Sequence, residues 1–466
     1  MPTLPTFTTF RNGNRWRWIR CQVRRRFGRP RGIWSLAGPV LVQELALVLT
    51  GTVVMAMASH LGAASVAAIG MMDALNFLLI AIYGGLAIGA TVTVAHCVGA
   101  GRRDDLRAVA FSSLALALGA GVLVALVLWN TRGIWIAMVL PGAEEAVKVQ
   151  ADRYFRWVII AGMATAIVQV SCGVLRGMAR TDTAMRVQVL MAASQIIMAA
   201  IFMRGVEGSV NGAGLALLLA RMGGVVLVLV ALWPTLRQGI EHAAGWPVRK
   251  EFMRSILKVG WPAALESSFF HLGKIVTQTI VVGLGTTALA ANFIAFYVSA
   301  FVHTPGTALG VAATTLVGMR LGAGRVQAAQ LVLRRVIRSA NWSLSTLAAI
   351  VLPFSWWLAG LFGNNEEVTA QAAWLIALSC VFMPAWAGSW VLPAGLRGAG
   401  DTRYGLVVGS STMWGLRIGA GYLLGITFGL GVIGVWLGMF ADWIVRNILF
   451  RKRMRGTAWT RHRLLG

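Results

Sequence analysis

Apolar residues in this chain come in long unbroken runs separated by short polar breaks. Twelve runs can be drawn, at 36–58, 73–98, 107–130, 152–174, 184–203, 210–234, 257–282, 291–319, 334–359, 368–395, 404–426 and 430–450. About 20 such residues wound as helix cross a bilayer. The runs do not alternate apolar with polar, as membrane strands do. The pattern therefore predicts an all-α polytopic membrane protein of twelve transmembrane helices. The longest polar break, 235–256, carries Trp246-Pro247, Arg249 and Lys250 and reads as a linker between two sets of six. The expected organisation is a basic tail at 1–32, an N-lobe at 33–234, the linker at 235–256, a C-lobe at 257–450 and a basic tail at 451–466.

The two sets repeat one another. VGAGRR begins at Val98 and LGAGRV at Leu321; HLGAASVAAIG begins at His60 and GLGTTALAANF at Gly283. Gly99 and Gly322 lie 223 residues apart, as do Gly62 and Gly285, and Pro39 and Pro262. VLRGMARTDT at Val174 pairs with GLRGAGDTR at Gly395, which sets Arg176 and Arg397 221 residues apart. One unit of about 200 residues is written twice.

Composition supports a membrane protein and then fixes its orientation. The apolar fraction is 57%, charged residues are 12%, and mean hydropathy is +0.72. Soluble chains carry about 25% charge. The net charge of +26 would fit a nucleic-acid binder, but 34 of the 42 basic residues fall in the tails, in the loops on the tail side and, for Arg446, at the tail-side end of the last span. That is the positive-inside bias, and it predicts cytoplasmic termini with no nucleic-acid partner. Six spans return the chain to its starting side, so the lobes are parallel repeats about an axis along the membrane normal, with a central cavity between them. Residues 1–32 hold nine arginines and no acid, which suits a cytosolic tail meeting anionic lipid heads. No signal-type apolar core precedes residue 33. The four cysteines are scattered without metal-ligand spacing.

Two six-span lobes, a GAGR turn after each second span and an LRG…DT loop after each fourth resemble the MATE (multidrug and toxic compound extrusion) transporters. The resemblance covers residues 33–450. GPVLVQELALVLTGT from Gly38, GWPAALESSFFHLGKIVTQ from Gly260 and MMDALNFLL from Met71 are similar to a bacterial branch with Glu in spans one and seven. It implies a bacterial inner-membrane location. Many members carry Asp in the first span where this chain has Val54, and an acid in span ten, where this chain has none. The ion site of those branches does not carry over.

Four of the sixteen acids fall in or beside spans: Glu44, Asp73, Glu266 and Asp442. Asp442 is placed for an i,i+4 pair with Arg446. Glu44 and Glu266 lie in the first helix of each lobe, five and four residues after the matched prolines. A membrane carboxylate costs several kcal/mol unless protonated, paired or hydrated, so both are candidates for ion coupling or substrate binding, with structural hydrogen bonding as the alternative. Lys274, about 12 Å along the same helix from Glu266, is expected to pair with another span or with Asp73. Asp73 is read as opening span two, either capping that helix or facing the cavity. Gln278, Asn292 and Gln43 are polar groups for substrate or helix contacts. His271 and His303 suit buried hydrogen bonding or a proton relay. Trp386 and Trp390 share a face of span ten and are candidates for an aromatic wall. Arg176, Arg397, Asp182 and Asp401 are read as loop residues, the acids as helix caps.

These readings favour a secondary antiporter, expected as a monomer, that exports small organic, drug-like compounds, expected to be cationic, against inward proton or sodium flow. A lipid-linked saccharide flippase with a cationic cavity is the alternative. No cofactor or metal is expected beyond the coupling ion, and no catalytic constellation or phosphate-binding loop is present.

Overall fold

The computed structural model describes residues 32–140, 144–205, 210–237, 248–362, 365–462 and 464. Among them every regular element is helical. The N-lobe contains α1 (Ile33–Ala58), α2 (Ala63–Gly99), α3 (Asp105–Val139), α4 (Glu145–Gly177), α5 (Thr181–Gly205) and α6 (Val210–Leu236). The C-lobe contains α7 (Lys250–Val282), α8 (Thr286–Gly322) and α9 (Val326–Val351, continued through Ser355–Gly360). It is completed by α10 (Glu366–Val381 and Met383–Gly398), α11 (Thr402–Thr412 with the wider turns Met413–Ala420 and Leu423–Thr427) and α12 (Gly431–Arg455).

These are the twelve expected spans. Nine of the helices are long and apolar enough to cross a membrane alone, and α10 qualifies when its halves are taken together across a 58° bend. The bend falls at Phe382, just before Pro384, whose ring cannot continue the preceding helix. The other two rods, α7 and α11, carry Glu266, Lys274 and Arg417, the polar groups that lower their apolarity. Residues 250–256 of the expected linker are the first turns of α7. Linker residues 238–247 and tail residues 1–31 lie outside the described residues.

The sequence repeat is reproduced bond by bond. The Thr91 hydroxyl donates to the Gly173 carbonyl at 2.9 Å, and its counterpart Thr314 donates to the Ala394 carbonyl at 2.8 Å. Both bonds join the second helix of a lobe to the fourth. A Cβ at Gly177 would lie 2.6 Å from the Thr91 oxygen, and one at Gly398 2.4 Å from that of Thr314. Glycine lets the two backbones touch where apolar lipid supplies no hydrophobic drive for helix association. The connecting turns match as well, with φ of 94° at Gly62 against 100° at Gly285, and 75° at Gly101 against 70° at Gly324.

The lobes meet near the face that bears the chain ends. There α2 crosses α7 and α8 so closely that a Cβ at Gly99 would lie 2.1 Å from the Met319 oxygen, and one at Gly322 2.2 Å from that of His96. Gly85 and Gly89 abut Ala264 and Ile256 in the same way. At the edge of the seam Arg249, the residue before α7, donates its backbone N–H to the Ser112 hydroxyl and its side chain to Asp105 of α3, each at 3.1 Å, and two further hydrogen bonds cross the seam. The His96 ring contacts the Gly398 carbonyl at 3.0 Å, and the Thr315 hydroxyl donates to the Arg176 carbonyl at 3.3 Å. Leu36, Ala37 and Val40 of α1 pack into the C-lobe core.

Candidate functional site

Above this seam the charged groups within the lobes sort into four clusters. The first is centred on Glu266, in the fifth turn of α7. Both carboxylate oxygens lie 3.2 Å from Arg397 Nη1, at the end of α10. The other side of the carboxylate rests on α11, where a Cβ at Gly405 or Gly409 would come within 3.2 Å or 3.4 Å of Glu266. The pair thus binds α7, α10 and α11 together, and it lies inside the C-lobe.

The corresponding arginine of the N-lobe, Arg176, donates to Gln43 Oε1 at 3.1 Å. Gln43 is therefore the structural twin of Glu266. The 223-residue spacing of Pro39 and Pro262 also equates Gln43 with Glu266, and places Glu44 one position off. Glu44 lies beside Arg176, which counters its charge. Arg176 and Arg397 are the last-turn residues of α4 and α10, not loop residues. Asp401 precedes α11 without capping it by its side chain; it pairs with Arg453 at 2.9 Å and His462 at 3.4 Å and ties down the end of α12.

Asp73 departs from expectation in two ways. The helix begins at Ala63, so Asp73 is a mid-helix residue and does not open the span. Its partner is the Tyr154 hydroxyl of α4, at 3.1 Å, with Asn76 and Arg221 close by. Lys274 does not reach it. No carboxylate among the described residues lies within ion-pair distance of Asp73's Arg221 or of Lys274.

The third cluster is basic. Asp442 of α12, fully buried, is shared by Arg446 at 3.0 Å and Arg417 at 3.4 Å. Arg446 also donates to the Gly409 carbonyl at 2.9 Å, where α11 passes into its wider turns. Both guanidinium groups lie over Phe270, at 5.5 Å and 5.9 Å from the ring centre. Phe270 meets Trp390 edge-on, Trp390 stacks on Trp386, and Trp386 stacks on His303 at 4.2 Å. Trp386 is buried, with its ring against Gly306. Both tryptophans thus pack within the C-lobe.

The fourth cluster lies at the other end of α7. Lys274 Nζ lies 4.4 Å from the centre of the Phe296 ring. One turn on, Gln278 Oε1 accepts from Asn292 Nδ2 at 3.2 Å, and Asn292 Oδ1 accepts from the Trp436 indole at 2.8 Å. Cys97, Cys172 and Cys380 are buried free thiols. Among the described residues no group of His, Cys, Asp and Glu is placed to hold a metal ion.

Two parallel six-helix lobes that meet at one face, with charged groups buried in each, are the architecture of a two-lobed membrane transporter. The MatE family model matches residues 39–201 and 262–423, one match per lobe, starting at the paired prolines. The chain belongs to the MATE family. It is 26% identical over 428 residues to a probable multidrug resistance protein NorM of Thermotoga maritima, covering 89% of this chain and 90% of the relative. A solved outward-facing multidrug resistance MATE family transporter superposes with a TM-score of 0.85 at 22% identity, over 93% of this chain and 98% of the other. A MOP superfamily transporter of Pyrococcus furiosus gives 0.83 at 22% identity, over 93% and 98%. These likenesses, together with the apolar helices, identify a multi-pass membrane transporter of the multidrug-efflux family.

Proposed function

We propose that this protein exports small organic molecules across a bacterial inner membrane in exchange for inward-moving protons or sodium ions, with both termini in the cytoplasm. The observation that carries this reading is the seam. The lobes pack against each other near the terminal face through glycines and hydrogen bonds to backbone carbonyls, with one ion pair, Arg249 with Asp105, at the exposed edge. Such a contact can be broken and remade without burying an unpaired charge. With the termini inside, this arrangement is outward-facing, and rocking the lobes would expose the central cleft to the cytoplasm.

Ion exchange is assigned to Asp73. Glu266 already has Arg397 against both oxygens, and releasing it would unfasten three helices of the C-lobe. Asp73 has a neutral hydroxyl as its hydrogen-bond partner and sits beside α4, within the lobe that must respond. A proton or sodium ion at Asp73 competes with Tyr154 and alters the α2–α4 contact, and α2 is the helix that forms the seam.

The test is efflux from proteoliposomes under an imposed pH or sodium gradient. Wild type is expected to follow one of the two gradients. Asp73→Asn is expected to lose gradient-driven transport by at least tenfold while binding substrate. Undiminished gradient-driven transport in Asp73→Asn, with loss in a stably folded Glu266→Gln, would return the coupling role to Glu266. The flippase reading gains its one specific support from the basic side chains of the C-lobe.

A further inference from the structure

We infer that the C-lobe wall of the central cleft binds a small organic anion with a flat apolar body, held by Lys274, Gln278 and the exposed aromatic face of α8. This deepens the proposed function by naming a substrate class, and it rests on that reading for transport though not for binding.

The location follows from helix geometry. On α7, Ile256, Gly260 and Ala264 face α2 across the seam. At about 100° per residue, His271 and Gln278 lie within about 40° of that stripe and Lys274 about 80° from it. On α8 Gly318 is one of the seam residues, and Phe293, Phe296 and Tyr297 fall within about 60° of its direction. Lys274 is ten residues beyond Ala264, about 15 Å farther from the seam. At that level the α8 face beside Lys274 is not covered by protein: Phe293 is 45% exposed, Phe296 43% and Tyr297 58%.

The polarity follows from which hydrogen-bonding groups are left over. An indole N–H can only donate, so Trp436 fixes the Asn292 oxygen as acceptor. Asn292 must then offer its NH2 group to the Gln278 oxygen. That leaves the Gln278 NH2 as the end of the chain, and it is buried with no acceptor. One turn away, the Lys274 ammonium has no carboxylate partner among the described residues, only the Phe296 ring. The charge that bears on it, Arg417, is also positive. Two unmatched donors at i,i+4 share one helix face. A carboxylate, sulfonate or phosphate would accept from both, and charged acceptors make the stronger bonds.

The facing wall offers no competing acid. Continuing the α2 stripe away from Gly85 leads through Leu78 and Ala74 to Met71, all apolar, while Asp73 is turned about 120° away toward Tyr154. Glu44, near the corresponding face of α1, lies about 10 Å deeper and beside Arg176. His271 is the remaining titratable group on the α7 stripe. The exposed rings and the apolar α2 wall suit the body of the ligand, and Lys274 and Gln278 its head.

Two xanthene dyes of similar shape and opposite charge test the proposal: carboxyfluorescein and rhodamine 6G. Binding is measured by fluorescence anisotropy on the full chain in phosphatidylcholine nanodiscs. Carboxyfluorescein is expected to bind more tightly than rhodamine 6G. Lys274→Gln should weaken carboxyfluorescein about tenfold to a hundredfold, Lys274→Arg should retain it, and Gln278→Glu should reverse the preference. Preference of the wild type for rhodamine 6G, or anion binding indifferent to a folded Lys274→Gln, overturns the proposal. Displacement of the dye by phosphatidylglycerol added to the nanodisc in proportion to its amount also overturns it, in favour of a lipid headgroup site as the flippase reading requires. Lys274-dependent binding without gradient-driven transport of either dye would uphold the site and overturn the efflux reading instead.

Discussion

Arg397 shows how much one side chain does here. It is 17% exposed, its partner Glu266 13%, and among the described residues neither has another charge at ion-pair distance. Removing one partner strands the other charge in a poorly solvated place, at a cost of about 3–5 kcal/mol for a buried pair. Glu266→Gln and Arg397→Met are each expected to lower the unfolding temperature in detergent by many degrees, and the double variant to recover most of the loss. Equal losses in all three would mean that the pair holds nothing together. In the N-lobe counterpart the neutral Gln43 accepts the hydrogen bond from Arg176 while Glu44, one position on, lies beside the guanidinium, so there the charge is met from the neighbouring position. Glu266 was legible in the sequence as a membrane carboxylate. Its partner was not, because Arg397 lies 131 residues away in a stretch that reads as a loop. The matched prolines equate Gln43 with Glu266, but a carboxylate one position on, Glu44, carries the stronger sequence signal. Lys274 was recognised as a site residue. Its lack of a carboxylate depends on where Asp73 points, which spacing along the chain does not encode.

Among the elements, α11 is the one whose sequence pattern concealed most. Its glycines serve different ends. Gly405 and Gly409 lie against the Glu266 side chain, while Gly415 has nothing within 4 Å of where a Cβ would be. Leucine at Gly405 must push Glu266 off Arg397, and such overpacking costs about 1–3 kcal/mol beyond any loss of the ion pair. Alanine at Gly415 meets no obstacle and removes some backbone freedom from the unfolded chain. Thermal unfolding of the two variants is expected to move in opposite directions, Gly405→Leu well down and Gly415→Ala level or slightly up. A common decrease would mean that Gly415 is needed for the wide turns themselves. The twelve apolar runs announced the rods because lipid demands continuous apolar helix. The wide turns and the α10 bend were not announced. The former accompany the buried Arg417, Arg446 and Asp442 network, whose members come from two different helices, and the latter stems from a proline within an apolar run.

At the scale of the whole molecule, two lobes of similar internal structure touch, and where α2 meets α8 the seam has little bulk in it. His96, Gly99, Met319 and Gly322 bring α2 and α8 to backbone contact, and a Cβ there has no flexible neighbour to displace. The observed arrangement therefore depends on residues that do not exist as side chains. Leucine at Gly322 should penalise the closed seam by about 1–3 kcal/mol, a shift of roughly fivefold to 150-fold in the equilibrium between arrangements. The lobes would then part at the terminal face and approach each other at the opposite one. Spin labels at Ser59 and Val282, both exposed near the far ends of α1 and α7, would report this as a shorter distance population in pulsed electron resonance, with the native cysteines replaced. Transport should slow, because the outward-facing arrangement would be scarce. Gly119→Leu on α3, where a Cβ meets nothing within 4 Å, should leave both distance and rate unchanged. If Gly322→Leu lowers stability but leaves the far-end distance unaltered, the seam is a rigid joint within one unit and the rocking of the lobes must occur elsewhere.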